Sequence, residues 1–151
     1  MTLYHAEREV EVEASPEIFF DLVWDFEHYP SFVSGVAAVK VISRSPITCH
    51  IEITAKLMGI PFRYELAIER DDNKVVRWHR VAGAFARAEG AWTLLARNGK
   101  HARFRYENAV DPGMPAPGFI VQYVLESALP KLMKEFRAEA ELLARERGTD
   151  S

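Results

Sequence analysis

Residues 13–36 read EASPEIFFDLVWDFEHYPSFVSGV and are the most informative part of the chain for its architecture. Ser15 followed by Pro16 marks the start of a helix, because serine caps a first turn and proline suits the first helical position. Apolar side chains then recur at helical spacing, and Asp25 is expected to end this helix and cap the next. Tyr29-Pro30 forces a turn, since the residue before a proline disfavours helical geometry. The stretch therefore predicts two short helices in succession.

Alternating apolar and polar residues flank these helices on both sides. Before them, residues 4–14 place apolar side chains on one parity and mostly charged ones on the other, which is the period of a half-buried strand. After Gly35 the alternation returns, and turn residues such as Asn98-Gly99 separate one run from the next. The pattern predicts six further strands at residues 36–43, 47–58, 61–70, 74–81, 84–95 and 101–111.

The period changes after the Pro/Gly-rich residues 111–118, DPGMPAPG. Helical spacing of apolar residues predicts one long helix over 118–147, kinked at Pro130 because proline removes a backbone hydrogen bond and crowds the preceding turn. The strand connections are hairpin-like, which favours an antiparallel sheet with helices on one side. The predicted fold class is α+β: a curved seven-stranded antiparallel sheet around a long C-terminal helix, with two short helices between strands 1 and 2.

Composition is that of an ordinary globular protein and argues against several functions. The length of 151 residues fits one domain over residues 1–151, and a net charge of −3 gives no basic field for nucleic acid. The histidines have no metal-ligand spacing, and no phosphate-binding loop is present, so we expect neither metal nor cofactor. No signal peptide or transmembrane span is evident. With a single cysteine, these features predict a cytoplasmic protein with at most transient membrane contact.

The order of elements and several residues of the first helices resemble the polyketide cyclase / coenzyme Q-binding protein family of the START-like superfamily. Typical members have a strand, a segment of pattern sP-e-vf-lv-D-e-YP-F, six strands and a C-terminal helix. Residues 88–95, AEGAWTLL, are similar to the Gly-x-Trp strand of those proteins. The residues that match the segment are Ser15-Pro16-Glu17, Phe19-Phe20, Leu22-Val23, Asp25, Glu27, Tyr29-Pro30 and Phe32.

This resemblance implies a helix-grip fold, in which the sheet and the long helix enclose an elongated, mostly apolar cavity. Relatives bind lipids, isoprenoid quinones or sterols, or fold and dehydrate polyketide chains, and one bacterial branch acts on ribosome association. We therefore expect binding of a hydrophobic small molecule, for transport or sensing. A polyketide aromatase/cyclase is the first alternative and a ribosome-association factor the second. The sequence carries no signal for a particular oligomeric state.

Candidate cavity residues follow from strand parity, from helical spacing near the C-terminus and from the aromatic stretch at one end of the implied cavity. For that stretch the alternatives are plain core packing and a place at the cavity rim. If Phe32 lies at the rim, Phe32→Ala should change ligand uptake more, per unit of lost stability, than Trp78→Ala does. The candidates are Phe26, Tyr29, Phe32, Val33, Cys49, Ile51, Tyr64, Leu66, Trp78, Arg80, Trp92, Phe104, Tyr106, Asn108, Val121, Leu125 and Leu129.

Polar residues on the inward parity are the most informative candidates, because burying an unpaired polar group costs about 1–3 kcal/mol. Arg80 could hold a ligand oxygen with its forked donors, or could point to solvent at a strand end. Tyr64 and Tyr106 could bind a ligand oxygen, act as weak general acids, or be core residues with satisfied hydroxyls. Asn108 could contact ligand or end its strand near the cavity mouth. Cys49 is expected to behave as a small hydrophobe, and no residue is assigned as catalytic.

Overall fold

The alternating segments form one antiparallel sheet in the computed structural model, which describes residues 3–114 and 117–149. Its order is β1-β7-β6-β5-β4-β3-β2, so the first and last strands are neighbours and the β1–β2 connection runs to the opposite edge. The prediction of a seven-stranded antiparallel sheet is confirmed. The strands are β1 (Tyr4–Val12), β2 (Val36–Arg44), β3 (Thr48–Leu57), β4 (Ile60–Asp71), β5 (Val75–Gly83), β6 (Arg87–Asn98) and β7 (His101–Asp111).

The β1–β2 connection contains the two predicted short helices. They are α1 (Pro16–Trp24) and α2 (Tyr29–Phe32), joined by a 3₁₀ turn at Phe26–His28. The hydroxyl of Ser15 accepts a hydrogen bond from the backbone N–H of Ile18 at 3.2 Å, which confirms the predicted cap. Asp25 ends α1, but its side chain makes no capping hydrogen bond to the next turn. The predicted side-chain cap is therefore wrong, since only the backbone carbonyl of Asp25 serves that turn.

The C-terminal segment is helical but not uniformly α-helical. It consists of α3 (Gly118–Tyr123), a π turn at Val124–Ala128 and α4 (Leu129–Thr149). The π turn lies directly before Pro130, where sequence predicts a kink. In an α-helix the ring of Pro130 would clash with the carbonyl of Glu126, and the wider π turn relieves that conflict. Of the predicted linker at 111–118, residues 115 and 116 lie outside the described residues.

The long helix α4 packs against β1, α1 and α2. Bulges between β2 and β3, β4 and β5, and β6 and β7 bend the sheet, which lets it curve around the helix. Three acidic side chains of α4 anchor it to the β1–α2 region: Glu135 accepts from the N–H of Ser34 (3.0 Å), Glu141 from the N–H of Glu13 (2.8 Å), and Glu139 pairs with His28 Nε2 (2.6 Å).

Aromatic packing fills one end of the space between sheet and helix. The rings of Phe19 on α1 and Phe104 on β7 stack with centroids 3.9 Å apart. Trp92 lies 5.0 Å from Phe19 and 5.3 Å from Phe136 on α4, which joins the three layers. The rest of the same space holds the cavity described below, whose walls also include aromatic side chains. Within the described residues, no helix has an apolar run of membrane-spanning length.

Candidate functional site

The central cavity occupies about 300 Å³ between the sheet and α4. Its walls are largely apolar and come from the inner face of the sheet, from the α1–α2 region and from α4. Lys56 is the one charged residue among the described residues that line it. Ten of the predicted cavity residues line this space: Phe26, Tyr29, Val33, Ile51, Tyr64, Leu66, Trp78, Trp92, Tyr106 and Asn108.

Two depressions, which we call the two mouths, lie on either side of α3 and the π turn. The first, of about 260 Å³, is bounded by β1, β7 and the helical segment, and the predicted residues Val121, Leu125 and Leu129 line it. The second, of about 430 Å³, lies between the π turn, α4 and the β3–β4 hairpin. Both share lining residues Leu57, Tyr106 and Asn108 with the central cavity, so the three spaces adjoin.

Phe104 and Cys49 do not line the cavity, although both lie on the predicted inward parity. Phe104 is fully buried beneath the ring of Phe19. Cys49 is buried opposite Arg44 of β2 and Ile68 of β4, as a free cysteine. Alternation predicts the face that a side chain joins, but it does not predict whether that part of the face is filled or open. The structure therefore corrects both candidates from cavity wall to core.

Phe32 also lies outside the cavity lining. Its ring packs 5.7 Å from that of Tyr29 and 5.1 Å from that of Phe136, so these two side chains stand between it and the ligand space. The aromatic stretch therefore divides: Phe26, Tyr29 and Val33 line the cavity while Phe32 packs behind them. This corrects the expectation that Phe32 lies at the rim, which was the premise for comparing Phe32→Ala with Trp78→Ala.

Arg80 is the fourth candidate that the structure places elsewhere. Its Nε donates to the carbonyl of Ala84 at 3.2 Å, and its Nη2 donates to the carbonyl of Gly83 at 2.7 Å. The β5–β6 turn at Gly83, which has a φ of +94°, presents these carbonyls to the guanidinium. Arg80 thus stabilises its own turn and is absent from the residues that line the cavity. The cavity consequently has no arginine to polarise a ligand oxygen.

The polar groups of the cavity are two tyrosine hydroxyls and one amide. Among the described residues, neither the Tyr64 nor the Tyr106 hydroxyl has a hydrogen-bond partner, whereas the Tyr29 hydroxyl donates to the carbonyl of Val23. Burial raises the pKa of Tyr64 to about 12. Burial, with a smaller effect from Tyr64, raises the pKa of Tyr106 well above its usual value. Both hydroxyls therefore remain protonated donors, and the buried Oδ1 of Asn108 has no donor in the described chain.

The indole of Trp78 lies across β6 at Gly90. A Cβ at Gly90 would stand 2.7 Å from Cζ2 of Trp78 and 2.3 Å from the carbonyl oxygen of Glu107. The ring of Trp78 is 5.7 Å from that of Tyr106, and Trp92 is 4.9 Å from it on the other side. The Gly-x-Trp pattern thus contributes to the cavity twice: glycine makes room for one indole and the tryptophan supplies another.

Several lining residues were not among the predicted candidates. Leu132 and Phe136 follow the helical spacing of the C-terminal segment, and Phe62 shares the parity of Tyr64, so these signals could have identified them. Phe85 gave no such signal. The predicted strand 84–95 includes Phe85 on the parity opposite to Trp92, whereas in the structure β6 begins at Arg87 and Phe85 lies in the turn before it, with a φ of +73° and its ring 5.5 Å from that of Phe62.

A grouping of potential metal ligands lies outside the cavity, on the other face of the sheet. Ligand atoms of His5, Glu7 and Glu107 are all within 4.8 Å of one another. His5 and Glu7 share a face of β1, and Glu107 is the partner of Glu7 on β7. The histidine spacing in the sequence did not indicate this grouping because its third member joins across the sheet. His5 and Glu7 are exposed and Glu107 is half-buried, and His5 also lines the first mouth.

Comparison with solved structures identifies the fold. The Zhui aromatase/cyclase from Streptomyces sp. R1128 is similar over 93% of this chain and 94% of its own, with a TM-score of 0.81 and 13% identity. A START superfamily protein from Mycobacterium smegmatis is similar over 92% of this chain and 98% of its own, with a TM-score of 0.80 and 21% identity. At these identities the similarity establishes the START-like, helix-grip fold.

Sequence comparison identifies the family. The ribosome association toxin RatA of Rickettsia prowazekii (strain Madrid E) is 30% identical over 84 residues, which are 53% of this chain and 58% of that protein. The match thus spans little more than half the length of the curated relative. The family model described as polyketide cyclase / dehydrase and lipid transport matches residues 12–137. The chain therefore belongs to the polyketide cyclase / dehydrase and lipid transport family.

Proposed function

We propose that the protein binds a hydrophobic small molecule in the central cavity, for transport or sensing, with residues 1–151 as one ligand-binding domain. The observation that carries this proposal is the mainly apolar space of about 300 Å³ between the sheet and α4, which adjoins two mouths. Ligand pockets in proteins typically measure about 300–1,000 Å³ and combine apolar walls with a few polar groups. Unfilled apolar space lowers the stability of a core, so a retained cavity of this size favours a ligand-binding role.

The ligand class follows from the walls and from the family. Lipids, isoprenoid quinones and polyketides all present large apolar surfaces, and transferring such surface from water is favourable by about 25 cal/mol per Å². Tyr64, Tyr106 and Asn108 supply the polar groups that would orient such a molecule. The family description, which includes lipid transport, supports the same class.

Two measurements test this proposal. Native mass spectrometry and organic extraction of the purified protein should reveal a copurifying apolar molecule. N-phenyl-1-naphthylamine, a neutral probe that fluoresces in apolar surroundings, should bind saturably. Leu66→Trp, which fills the cavity, should weaken probe binding at least about 10-fold, because the indole occupies the ligand space. Ile47→Trp is the matched control at a residue 63% exposed. No bound molecule and no saturable probe binding would contradict the proposal.

The cyclase alternative retains part of its predicted chemistry. Of the three groups that it invokes, Tyr64 and Tyr106 line the cavity, whereas Arg80 binds the carbonyls of its own turn. Because Arg80 is held by its turn and Lys56 is exposed, enolate charge that develops on a polyketide inside the cavity would depend mainly on the tyrosine hydroxyls. We therefore rank binding above catalysis. Aromatic product formation from an unreduced polyketide thioester, lost in a Tyr64→Phe/Tyr106→Phe double variant, would reverse this ranking.

The ribosome alternative is favoured by one observation, the 84-residue match to the ribosome association toxin RatA. Its test is sedimentation with ribosomal subunits in a sucrose gradient, at low and at moderate salt. Stoichiometric cosedimentation that survives moderate salt would support this function, and a protein that stays at the top of both gradients would contradict it.

A further inference from the structure

Asn108 places an unpaired buried acceptor, its Oδ1, at the cavity. Its Oδ1 is buried and accepts no hydrogen bond from the described residues. An unsatisfied buried acceptor is destabilising, and native proteins keep few of them. Asn108 is also one of the three residues shared by the central cavity and both mouths. The amide therefore lies where the central cavity adjoins both mouths.

The neighbours of Asn108 leave space around its side chain. In the sheet it is paired with Ala6 of β1 on one side and with Gly90 of β6 on the other. Neither neighbour has a side chain that could cover the amide or donate to it. Beyond Gly90 lies the indole of Trp78, which forms a flat apolar wall beside the amide. The unpaired Oδ1 of Asn108 thus lies beside the aromatic surface of Trp78.

Hydrogen-bond donors face the same space from the tyrosines. Tyr106 precedes Asn108 by two residues on the same face of β7, a separation of about 6.8 Å along an antiparallel strand. The Tyr106 and Tyr64 hydroxyls have no acceptor in the described part of the chain. The cavity thus places hydroxyl donors in the same space as the unpaired acceptor Oδ1 of Asn108, and this combination matches a ligand oxygen that also carries a proton to donate.

Charge narrows the ligand class further. The guanidinium of Arg80 is held by the carbonyls of Gly83 and Ala84, and Lys56, the charged residue of the lining, is exposed. A carboxylate or phosphate at Asn108 would face an acceptor oxygen in apolar surroundings, without a cation to offset its desolvation. The position therefore disfavours an anionic group.

We propose, on the basis of the function proposed above, that the ligand is a neutral hydroxylated molecule, such as an alcohol, a phenol or an enol. Its hydroxyl donates to Oδ1 of Asn108, and its oxygen atoms accept from Tyr106 or Tyr64. Asn108 is then the residue that distinguishes a hydroxyl from an ether or a hydrocarbon of the same shape. The flat wall of Trp78 favours a ring beside that hydroxyl.

Four naphthalene derivatives that differ in one substituent test this inference. 2-Naphthol donates and accepts, 2-methoxynaphthalene only accepts, 2-methylnaphthalene does neither, and 2-naphthoate is anionic. Their affinities are measured by titration of the ¹⁵N-labelled protein, monitored by NMR. 2-Naphthol should bind about 10-fold more tightly than the methoxy and methyl compounds, since one net hydrogen bond is of that size. 2-Naphthoate should bind most weakly.

Asn108→Leu keeps the size of the side chain and removes its polar atoms. In this variant the preference for 2-naphthol over 2-methylnaphthalene should disappear, while 2-methylnaphthalene still binds. Glu107→Gln is the control, because it alters the adjacent side chain on the other face of β7 and should keep the preference. The NMR spectrum of each variant reports whether it is folded.

The outcomes separate this inference from the proposed function. Equal affinities of the three neutral compounds for the wild-type protein, or a preference that survives in folded Asn108→Leu, would overturn the inference and leave hydrophobic binding intact. If none of the compounds binds, and the neutral fluorescent probe does not bind either, hydrophobic binding itself fails. If Asn108→Leu does not fold, Asn108→Thr, which restores a hydroxyl acceptor, should retain the preference, and its loss there would also overturn the inference.

Discussion

Gly90 illustrates how a single residue shapes the cavity. The atoms that approach it belong to Trp78 on β5 and Glu107 on β7, so the position is crowded from two neighbouring strands. A side chain here would have to displace both an indole and a backbone carbonyl. The sequence contains the Gly-x-Trp pattern, but the reason for the glycine lies in residues that are distant in the chain.

Gly90→Ala should therefore destabilise the fold and disturb the cavity wall. We expect the free energy of unfolding, measured with urea, to fall by about 1–3 kcal/mol, because overpacking forces side chains and backbone to shift. Gly35→Ala is the matched control, since its added Cβ would meet no atom nearer than 3.9 Å. That variant should stay within about 0.5 kcal/mol of the wild type. Equal destabilisation by both would show that the crowding at Gly90 has no special role.

Other residues show the limits of strand parity. It identified Ile51, Tyr64 and Trp92 as cavity residues because alternation is a local property of an extended chain. It also selected Phe104, which lies in the filled end of the same interior face. Arg80 has an inward parity too, but two carbonyls of its turn hold its guanidinium. The geometry of the β5–β6 turn decides which groups the Arg80 guanidinium binds, and strand alternation gives no information about that geometry.

At the scale of elements, the two parts of the C-terminal helical segment have different surroundings. α4 is anchored through acidic side chains to the region that follows β1. α3 and the π turn instead lie between the two mouths, and their residues line both of them. π turns are rare interruptions of α-helices and often occur at functional sites. We therefore expect the segment before Pro130 to open more readily than the rest of α4.

Pro130→Ala tests this expectation. The alanine restores a backbone N–H and removes the clash with the carbonyl of Glu126, so the segment can become α-helical. Hydrogen exchange monitored by mass spectrometry should show slower exchange for peptides covering Val124–Ala128, together with slower release of the fluorescent probe. Lys134→Ala, at an exposed α4 position, should leave that exchange unchanged. Faster exchange in Pro130→Ala would contradict the assignment of the π turn to Pro130.

Sequence periodicity predicted the elements better than their details. The six later strands and the long helix are all present, and the sequence placed a break at Pro130 because proline has a known steric effect. The π turn as the form of that break was not predicted. Whether the helix breaks as a kink or as a π turn depends on how the residues around Pro130 pack, and the known steric effect of a single proline does not predict that packing.

At the scale of the whole molecule, three tyrosines that are buried or partly buried in the core link stability to alkaline pH. Tyr64 has its pKa raised by burial to about 12, and those of Tyr29 and Tyr106 are also raised by burial. The unfolded chain ionises its tyrosines near pH 10, so above that pH it binds fewer protons than the folded protein. The stabilising effect is therefore complete below about pH 10 and is lost as pH rises towards 12.

The predicted result is a free energy of unfolding that falls between pH 10 and 12, by up to about 1.4 kcal/mol per pH unit for each buried tyrosine. Urea unfolding at a series of pH values measures it. The free energy of unfolding of Tyr64→Phe should fall less steeply than that of the wild type over this range, because one ionising group is missing. Tyr123→Phe, at an exposed ring, should keep the wild-type slope. Identical slopes for Tyr64→Phe and the wild type would show that ionisation of Tyr64 does not contribute to the loss of stability at alkaline pH.

Patterns within short segments were sufficient to predict the α+β fold and the inner face of the sheet, because periodicity follows directly from helix and strand geometry. The order of those segments then carried the resemblance to the family. The position of the cavity along that face was decided by long-range packing. Phe19, Phe104, Trp92 and Phe136 fill one end, and the curvature of the sheet leaves the other end open around Asn108. Such contacts join residues far apart in the chain, and so they exist only once the strands and α4 have come together.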